Sequence, residues 1–298
     1  MSRSVVVTGA TSGIGRATAL RLARAGYEVF ATARDEEKAG KLRAHAEERG
    51  VRLHVPVLDV TDATACRDVL ADIAERTDGG PWAVVNNAGV TVPRAVEDVD
   101  EAEARQGLEV NLLAPARIAR LVLPAMRRRG GGRIVNVSSA AGRAVLPFTG
   151  WYSAGKAGLN ALTEALRMEA APFGVDVVLV EPGFHASPLL EQAARALERP
   201  STVSPRYGDC YRAAAAALRT PGRHPGPERA AAVVHRALTA PRPRARYGVG
   251  ADVRLAALLD AVTPAVVRDP VKRAVAGLDE VPLGCDRLLT RWCGLPRL

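Results

Sequence analysis

Short apolar runs alternate with longer amphipathic stretches along most of this chain. The runs are rich in valine and other strand-forming residues and lie at residues 4–8, 28–33, 53–58, 82–85, 133–137, 175–180 and 246–249. The stretches between them predict helices, among them one over residues 35–49, one over 101–128 and one from Tyr152 to about residue 171. This alternation predicts an α/β fold, a doubly wound parallel sheet of about seven strands with helices on both faces.

A glycine-rich turn follows the first strand directly. It reads Gly9-Ala10-Thr11-Ser12-Gly13-Ile14-Gly15 and opens the first predicted helix. Glycines allow a tight turn, and the N–H groups at a helix N-terminus favour the pyrophosphate of a dinucleotide. The spacing differs from the common Gly-x-Gly-x-x-Gly fingerprint, and a plain tight loop is the alternative. Its position favours a nucleotide site that includes Gly9, Thr11, Ser12, Gly13, Ile14 and Gly15.

The end of the second strand predicts which nicotinamide nucleotide is bound. In such folds an acidic side chain here accepts from a ribose 2′-hydroxyl, whereas an arginine pairs with a 2′-phosphate. Ala33 occupies the terminal strand position, Arg34 follows, and Asp35 comes after the strand has ended. We therefore expect NADP (NADPH) rather than NAD, held by Arg34 with Ser12 as a second phosphate contact. The alternatives are that Asp35 reads the ribose or that Arg34 is a solvated turn residue.

Two further strand ends carry short polar motifs. Asp59-Val60 follows the third predicted strand, where Asp59 is placed either to meet the adenine amino group or to form a turn before a helix cap at Thr61-Asp62. Asn86-Asn87-Ala88-Gly89 follows the fourth strand, and the tetrapeptide by itself is also typical of an ordinary turn. We expect Val60, Asn87, Ala88 and Gly89 to contact the nucleotide, because ligands bind at the carboxyl ends of parallel strands.

The chemistry is predicted to lie in residues 150–158. Tyr152 and Lys156 are four residues apart, so on a helix they share one face, and the ammonium favours ionisation of the phenol. A tyrosine tuned in this way exchanges a proton near neutral pH. By itself, Tyr-x-x-x-Lys also occurs on ordinary solvated helices. Ser139 precedes Tyr152 at the end of a strand, and Asn111 lies in the long predicted helix, where a lone asparagine commonly bonds to nearby backbone.

In this order the motifs resemble the classical short-chain dehydrogenase/reductase family. The resemblance covers about residues 4–187 and rests on the glycine turn, Asp59, Asn86-Asn87-Ala88-Gly89, Asn111, Ser139, Tyr152, Lys156 and Pro182-Gly183. It implies a Rossmann-like fold and a catalytic tetrad. In that tetrad Tyr152 is the acid/base and Ser139 holds the substrate oxygen. Lys156 binds the nicotinamide ribose and lowers the Tyr152 pKa, and Asn111 holds a water.

The turn after the sixth strand departs slightly from the family pattern. Ser187 stands where members commonly place threonine, and because a hydroxyl is retained we expect it to bind the nicotinamide carboxamide beside Pro182 and Gly183. The sequence around Tyr152 is also similar to the branch that acts on steroids, retinoids and other bulky alcohols and ketones.

The resemblance fades after His185. Helices are predicted near residues 188–197, 205–218, 227–238, 253–259 and 265–275. We treat residues 1–298 as one domain, with a cofactor-binding and catalytic core in 1–183 and with a substrate lid, the last strand and a helical extension in 184–298. The lid is expected over residues 185–226, and the apolar tail 281–298 is expected to dock on its own subunit or on a partner.

Two features near the chemistry allow alternative interpretations. Residues 145–148 are expected to form an apolar wall beside Tyr152, with packing against the next helix as the alternative. His185 is interpreted as a loop residue, with contact to the substrate as the alternative.

Composition narrows the class of protein further. The chain has 298 residues, a formal net charge of +9 and 48% hydrophobic residues, which is typical of a globular protein. Its arginines are dispersed, so we expect no nucleic-acid binding. We expect no membrane span and no signal peptide. The four cysteines form no Cys-x-x-Cys pair, and we expect them to be reduced, with no metal site. A cytoplasmic homo-oligomer, a dimer or tetramer, is expected.

The leading hypothesis is an NADP-dependent oxidoreductase that interconverts a secondary alcohol and a ketone on a bulky, mainly apolar substrate of steroid, retinoid or polyketide type. A second hypothesis uses the same site for reductive cyclisation, epimerisation or dehydration of a natural-product intermediate. A third is a non-catalytic nucleotide-sensing regulator. Such regulators typically lose the tyrosine or the lysine, whereas this chain keeps Tyr152 and Lys156.

Overall fold

Six parallel strands form one sheet in the computed structural model, which describes residues 3–199, 207–220 and 224–279. In chain order they are β1 (Ser4–Val7), β2 (Glu28–Ala31), β3 (Ala83–Asn86), β4 (Gly132–Val137), β5 (Val175–Pro182) and β6 (Arg246–Val249). Across the sheet the order is β2-β1-β3-β4-β5-β6, and neighbouring strands run parallel. The winding reverses between β1 and β3, which opens a crevice at the carboxyl edge. The predicted α/β, Rossmann-like fold is confirmed.

Helices cover both faces of this sheet. Those in the described residues are α1 (Gly13–Arg24), α2 (Glu36–Glu48), α3 (Ala63–Arg76), α4 (Glu101–Leu108), α5 (Ala114–Arg129), α6 (Gly150–Ala170), α7 (Pro188–Glu198), α8 (Gly208–Arg219), α9 (Glu228–Thr239), α10 (Ala251–Val262) and α11 (Ala265–Val275). None of these described helices combines the length and apolar character that crossing a bilayer requires. The predicted helix start at residue 205 and the tail 281–298, with Cys285 and Cys293, lie outside the described residues.

Alternate residues of the central strands contribute to two apolar cores, one on each face of the sheet. Val5 and Val7 pack with α1, α2 and α9 on one face. Val6, between them, packs with α3 and α5 on the other. Because successive side chains of a strand point to opposite faces, a strand covered by helices on both sides must be apolar at nearly every position. This explains the unbroken apolar runs in the sequence.

The predicted strand at residues 53–58 is not a regular strand. This segment lies beside β2 and makes only two isolated parallel bridges, Phe30 with His54 and Ala33 with Val57. Pro56 accepts a hydrogen bond from Ala33 N at 3.2 Å but has no N–H to donate, so the ladder cannot continue through it. The predicted third strand is therefore an interrupted edge, and the sheet has six strands rather than about seven.

The long helix predicted over residues 101–128 is also interrupted. Between α4 and α5 the chain forms one π-helical segment, Glu109–Leu113, in which Asn111 is buried. A π-turn adds a residue to the helical turn, changes which face each side chain occupies, and is frequent at functional sites. Local sequence periodicity does not reveal this break.

Candidate active site

The glycine turn after β1 is bonded directly to the loop after β3. The backbone N–H groups of Asn87 and Ala88 both donate to Thr8 Oγ1 at 3.0 Å, and this hydroxyl lies 3.4 Å from Val85 O. In return, Asn87 Nδ2 donates to Thr8 O at 3.0 Å and to Gly9 O at 3.1 Å. These bonds fix the two strand ends as one unit, and contact of Asn87 and Ala88 with the nucleotide remains a prediction.

Close packing requires the glycines of the turn. A Cβ atom at Gly15 would lie 2.3 Å from Gly9 O and 2.4 Å from Asn87 Nδ2, so no side chain fits. Gly9 and Gly13 have φ of +62° and +51°, a region that favours glycine. A Cβ atom at Gly13 would lie 3.2 Å from Ser187 Cβ, so the turn also meets the segment after β5. Three predicted strand-end motifs therefore converge at one edge.

The first turn of α1 differs from those of the next three α-helices. The side chains of Asp35, Asp62 and Asp100 cap α2, α3 and α4 by accepting backbone N–H groups. Ser12, the N-cap residue of α1, makes no such side-chain bond. The N–H groups at the start of α1 are therefore left without a side-chain cap, which suits an anion at this end of the helix dipole. Thr11 and Ile14 lie in the same half-buried turn.

Arg34 and Asp35 differ in the hydrogen bonds and ion pairs that their side chains make within the protein. Asp35 accepts from Lys38 N at 2.9 Å and also pairs with Lys38 Nζ, and these hydrogen bonds lower the pKa of the Asp35 carboxyl. Arg34 is exposed and makes no hydrogen bond or ion pair with any described residue. Asp35 is thus engaged in capping a helix, whereas the Arg34 guanidinium is available to a ligand.

Asp59 and Val60 have structural partners of their own. Asp59 Oδ1 accepts from Thr61 N at 2.9 Å and from Thr61 Oγ1 at 2.8 Å, which is the turn-forming role. Val60 is buried in one of the two cores, and its carbonyl accepts from Arg117 Nη1 at 2.7 Å. Nucleotide contacts of Asp59 and Val60 remain predictions.

Ser139 and Tyr152 are brought together between the end of β4 and the start of α6. Ser139 Oγ accepts from Ala141 N at 3.2 Å, and the Ser139 hydroxyl lies near the Tyr152 phenol. Burial raises the pKa of the Tyr152 phenol, and the interaction with the Ser139 hydroxyl acts in the opposite direction. The sequence predicted that Lys156 would lower this pKa. In the structure Lys156 Nζ lies 5.9 Å from the Tyr152 ring centroid, and the net shift is upward because desolvation dominates.

Lys156 lies on the same helix and points into the protein. Its side chain is 4% exposed, and Nζ donates to Val137 O at 3.0 Å. This burial lowers the pKa of Lys156 to about 8. A Cβ atom at Gly89 would lie 3.6 Å from Lys156 Nζ and 3.2 Å from Asn111 Oδ1, so the two polar groups border the same glycine.

Asn111 is held by the backbone that follows Gly89. Its Nδ2 donates to Val90 O at 2.8 Å, and its Oδ1 accepts from Val90 N at 3.2 Å. These bonds match the expectation that a buried asparagine bonds to backbone, although the partner is distant in sequence. They join the π-turn to the loop after β3, so Asn111 lies beside Lys156.

Buried amide and hydroxyl groups tie α6 to the sheet, and sequence analysis did not identify them. Asn86 Nδ2 donates to Asn136 Oδ1 at 2.8 Å, and Asn136 Nδ2 donates to Thr163 Oγ1 at 2.8 Å. Beside them, Ser138 Oγ donates to Asn160 Oδ1 at 2.6 Å. Unpaired polar groups are unfavourable in a core, so these bonds fix the position of α6 along the sheet. In the sequence, these buried groups are visible as polar residues within otherwise apolar segments.

The segment after β5 carries the remaining predicted residues. Pro182 pairs with Val249 at the end of the sheet, and a Cβ atom at Gly183 would lie 2.8 Å from Val253 Cγ2. Ser187 begins α7 and makes no side-chain cap bond. His185 is only 5% exposed, a burial that the interpretation as a plain loop residue does not explain.

The apolar wall expected at residues 145–148 remains a prediction. Val145 is 46% exposed, whereas the Phe148 ring packs edge-on against Tyr207 and Tyr211, with centroid distances of 5.5 and 5.1 Å. Tyr211 is buried, and its hydroxyl donates to Asp98 Oδ2 at 2.5 Å. Phe148 therefore packs against the start of α8, and not against the next helix, α6, which the sequence left open as the alternative. Its φ of +64° is strained for a bulky residue and is maintained by this packing.

A cleft of about 430 Å³ lies beside Ser187, a volume within the range of small-molecule sites. It is lined by Ala186, Ser187, Leu190, Glu191, Leu218, Arg219, Thr220 and His224. Arg219 binds Glu191 Oε2 at 3.3 Å and Glu198 Oε2 at 2.9 Å. The cleft is therefore bounded by aliphatic side chains from α7 and α8 and by a charged rim.

Fold and site together define a nucleotide-dependent dehydrogenase class. Residues 3–198, which make up more than half of the chain, match the family described as short chain dehydrogenase. The chain belongs to the short-chain dehydrogenase family, and the predicted resemblance is confirmed.

Individual relatives resemble the chain over most of its length. Retinol dehydrogenase 5 of Mus musculus is 33% identical over 286 residues, 90% of this chain and 86% of that protein. A crystal structure of a short-chain dehydrogenase from Streptomyces avermitilis is 32% identical, with a TM-score of 0.74 over 93% of this chain and 98% of that one. A variant of actinorhodin polyketide ketoreductase with NADPH is 31% identical, with a TM-score of 0.73 over 85% of this chain and 97% of that one.

Proposed function

We propose that this protein is an NADP(H)-dependent oxidoreductase that interconverts a secondary alcohol and a ketone. One observation carries the proposal. Ser139 and Tyr152 lie beside each other at the carboxyl edge of the sheet, close enough for the Ser139 hydroxyl to favour ionisation of the Tyr152 phenol, and Lys156 lies one helical turn further along α6. A hydroxyl pair of this kind binds a carbonyl or alcohol oxygen and moves its proton. Membership of an oxidoreductase family supports the assignment.

The residues present fit a dinucleotide. Gly15 leaves no room for a Cβ, Gly9 and Gly13 turn the backbone with positive φ, and α1 begins without a side-chain cap from Ser12. These features suit a pyrophosphate that approaches the backbone closely. Ser187 touches this turn and would meet the nicotinamide end, with Lys156 at the ribose.

The preference for NADP over NAD rests on Arg34. Its guanidinium is exposed and unpaired among the described residues, while the neighbouring acid, Asp35, already caps α2. An arginine in this position forms charge-assisted hydrogen bonds with a 2′-phosphate. The similarity to a ketoreductase structure solved with NADPH supports the same choice.

The cofactor and the protein would each supply a different part of the reaction. Bound NADPH would supply a hydride from nicotinamide C4 to the carbonyl carbon. Ser139 would donate a hydrogen bond to the carbonyl oxygen and orient it, and Tyr152 would transfer its phenolic proton to that oxygen. Ketone, NADPH and one proton thereby give alcohol and NADP⁺. The raised pKa of Tyr152 keeps the phenol protonated at neutral pH, as a proton donor requires.

A bulky, mainly apolar substrate is the proposed class. Leu190 and Leu218 line the cleft beside Ser187, and its volume of about 430 Å³ accommodates a ring system. Burial of such a ring at about 25 cal/mol per Å² would supply the binding energy that holds the carbonyl at Ser139 and Tyr152. The names of the mouse retinol dehydrogenase and the polyketide ketoreductase point to large substrates for those proteins.

The test is a screen of ketones from acetone-sized to steroid-sized with NADPH, in which loss of NADPH absorbance is compared with product formed. One NADPH consumed per alcohol, with kcat/KM rising about tenfold or more as rings are added, is expected. Product without NADPH consumption would favour epimerisation or dehydration instead. No turnover with any substrate, together with nucleotide binding, would favour a regulator. A flat series would remove the apolar substrate class.

A further inference from the structure

Helices α10 and α11 carry a contiguous group of exposed aliphatic side chains. On α10 they recur three and four residues apart and so share one side of the helix, and the start of α11 continues the group. Single exposed apolar side chains are ordinary on a protein surface, whereas a contiguous group marks an interaction site. We call this group the aliphatic face. Its members, which are 40 to 81% exposed, are Leu255, Leu258, Leu259, Val262, Val266 and Val267.

The other side of α10 packs on the edge of the sheet. Val253 is buried, and its Cγ2 would lie 2.8 Å from a Cβ atom at Gly183, just after β5. Asp260, near the end of α10, accepts from Arg268 Nη1 at 3.4 Å and pairs with Lys272 on α11. The two helices therefore pack side by side, and the aliphatic face lies on the side that no described element covers.

The charge around the aliphatic face is balanced, although the whole chain is basic. Residues 251–279 contain four aspartates and four lysines or arginines, so their formal net charge is zero, whereas the chain carries +9. All four charged side chains of α11 are in ion pairs. An anionic lipid surface attracts an excess of lysine and arginine. The balanced charge therefore favours an occupant that binds by apolar contact alone.

The chain turns back along α11 where that helix ends. Gly277 has a φ of +72°, and Leu278 N donates to Arg273 O at 2.9 Å, which is a left-handed turn common at helix C-termini. Asp279 then forms an ion pair with Arg273. The described chain therefore ends beside α11, at Asp279, instead of continuing along the helix axis.

Residues 280–298 lie outside the described part of the chain, and their sequence matches an apolar occupant. Their apolar residues recur at the spacing of one helical face, at Leu288, Leu289, Trp292 and Leu295. These 19 residues would span about 28 Å as a helix and more when extended, whereas the 12 residues of α10 span about 18 Å. A segment tethered this closely competes at an effective concentration in the millimolar range, which favours it over a second copy of the chain.

We propose that the aliphatic face is the docking site for residues 280–298 of the same chain. The segment follows a chain that has turned back along α11, is long enough to cross the face and carries matching apolar side chains. Docking would remove both apolar surfaces from water, which is the driving force for such an association. The inference does not depend on the reaction that the protein catalyses, so it stands or falls separately from the proposed function.

The first measurement is trypsin cleavage of the folded full chain, in which mass spectrometry follows the cuts after Arg287 and Arg291. A protease needs its site to be locally unfolded, so docking slows these cuts. Leu258→Glu and Leu259→Glu place a charge on the aliphatic face, and because both side chains are exposed, the two cores of the sheet should stay intact. Leu258→Met keeps an apolar side chain at the same position. Met168 on α6 is 63% exposed and Leu258 is 57% exposed, so Met168→Glu is the matched control.

Leu258→Glu and Leu259→Glu should each raise the rate of both cuts about tenfold or more, because burial of one leucine side chain contributes at least that much to the docking equilibrium. Wild type, Leu258→Met and Met168→Glu should be cut slowly and at equal rates. Equal rates in wild type and the two glutamate variants of the aliphatic face would overturn the proposal.

The second measurement alters the segment and leaves the aliphatic face intact. Trp292→Glu should speed hydrogen exchange of the α10 and α11 amides several-fold and leave that of β4 unchanged, because docking couples the two partners reciprocally. Exchange in wild type should not depend on protein concentration, since both partners belong to one chain. Unchanged exchange in Trp292→Glu would overturn the proposal. Protection that is lost on dilution would assign the face to a second copy, and protection gained only with anionic phospholipid vesicles would assign it to a membrane; either result would also overturn it.

Discussion

Buried hydrogen bonds between distant parts of the chain hold the edge of the sheet that carries Ser139 and Tyr152, whereas α7 and α8 are joined by an apolar cluster and by ion pairs at the surface. Asn136 joins α6 to β4 through Thr163, and Thr8 joins the glycine turn to Asn87. In contrast, Arg219 reaches Glu191 and Glu198 with side chains that are 35 to 45% exposed. Buried polar bonds define one geometry, while exposed pairs are weak and screened by salt.

This difference suggests that the sheet edge and the helices α7 and α8 have different roles. The sheet edge must hold Ser139 and Tyr152 in register, because small displacements of reacting groups reduce rates strongly. Helices α7 and α8, the proposed lid, would need only to enclose a substrate. Tyr207 and Tyr211 at the start of α8 also pack against Phe148 in the loop before α6. Substitutions at the edge should therefore affect turnover, and substitutions in the lid should affect substrate affinity.

The largest effect is expected for Tyr152→Phe. Turnover should fall about 10²- to 10⁴-fold, because only the transferable proton is removed. Affinity for NADPH should be nearly unchanged, because the phenyl ring keeps its place in α6. Steady-state kinetics measure the turnover, and nucleotide titration measures the affinity for NADPH. Tyr27→Phe, at the amino edge of the sheet, is the control, and near-normal turnover in Tyr152→Phe would contradict the acid/base role.

Lys156→Met should separate activity from stability. The pKa of Lys156 is lowered from 10.5 to about 8, so its burial does not destabilise the fold above pH 10.5, destabilises it increasingly as the pH falls from 10.5 to 8, and does so in full below pH 8. At pH 7 the variant should be up to about 3 kcal/mol more stable, reduced by about 1 kcal/mol for the lost bond to Val137, and it should have weak nucleotide binding and low turnover.

Denaturant titrations at pH 7 and at pH 10 provide the measurement for Lys156→Met. The gain in stability should shrink at the higher pH. The exposed Lys41→Met is the control and should show neither the gain nor its pH dependence, because its pair with Glu37 is exposed and screened by solvent. Equal stability of wild type and Lys156→Met at both pH values would show that burial does not destabilise the charged lysine.

A smaller effect is expected for Arg34→Ala. Affinity for NADPH should fall about tenfold, and affinity for NADH should change little, because only NADPH carries the 2′-phosphate. Arg24→Ala removes an exposed arginine at the far end of α1 and controls for the loss of one positive charge. A wild type that already prefers NADH would exclude Arg34 as the determinant.

The smallest effect is expected for Arg219→Ala in the lid. Loss of its exposed pairs with Glu191 and Glu198 should change the free energy of unfolding by less than about 1 kcal/mol. Because Arg219 lines the cleft, KM for a bulky ketone should change a few-fold with kcat nearly constant. Arg212→Ala, on the same helix but paired with Asp209, should leave both constants unchanged. A large loss of kcat in Arg219→Ala would mean that the lid helps to build the catalytic geometry.

Several features of the chain are predictable because they are local. The apolar runs predict the six strands, and the residues that follow them predict where polar groups collect. Prediction from the local sequence fails at Pro56 and at the π-helical segment around Asn111. A proline interrupts a ladder only at the position where its missing N–H is needed, and a π-turn depends on a partner such as Val90 that lies elsewhere in the chain.

By itself, then, the sequence determined the order of strands and helices, the glycine turn and the family to which the chain belongs. The tertiary structure decided the upward pKa shift of Tyr152, the buried bonds of Asn136, and the packing of Phe148 against the lid. It also buried His185 with one nitrogen unpartnered. These properties depend on desolvation and on contacts between residues far apart in the chain, and neither is encoded in a local pattern.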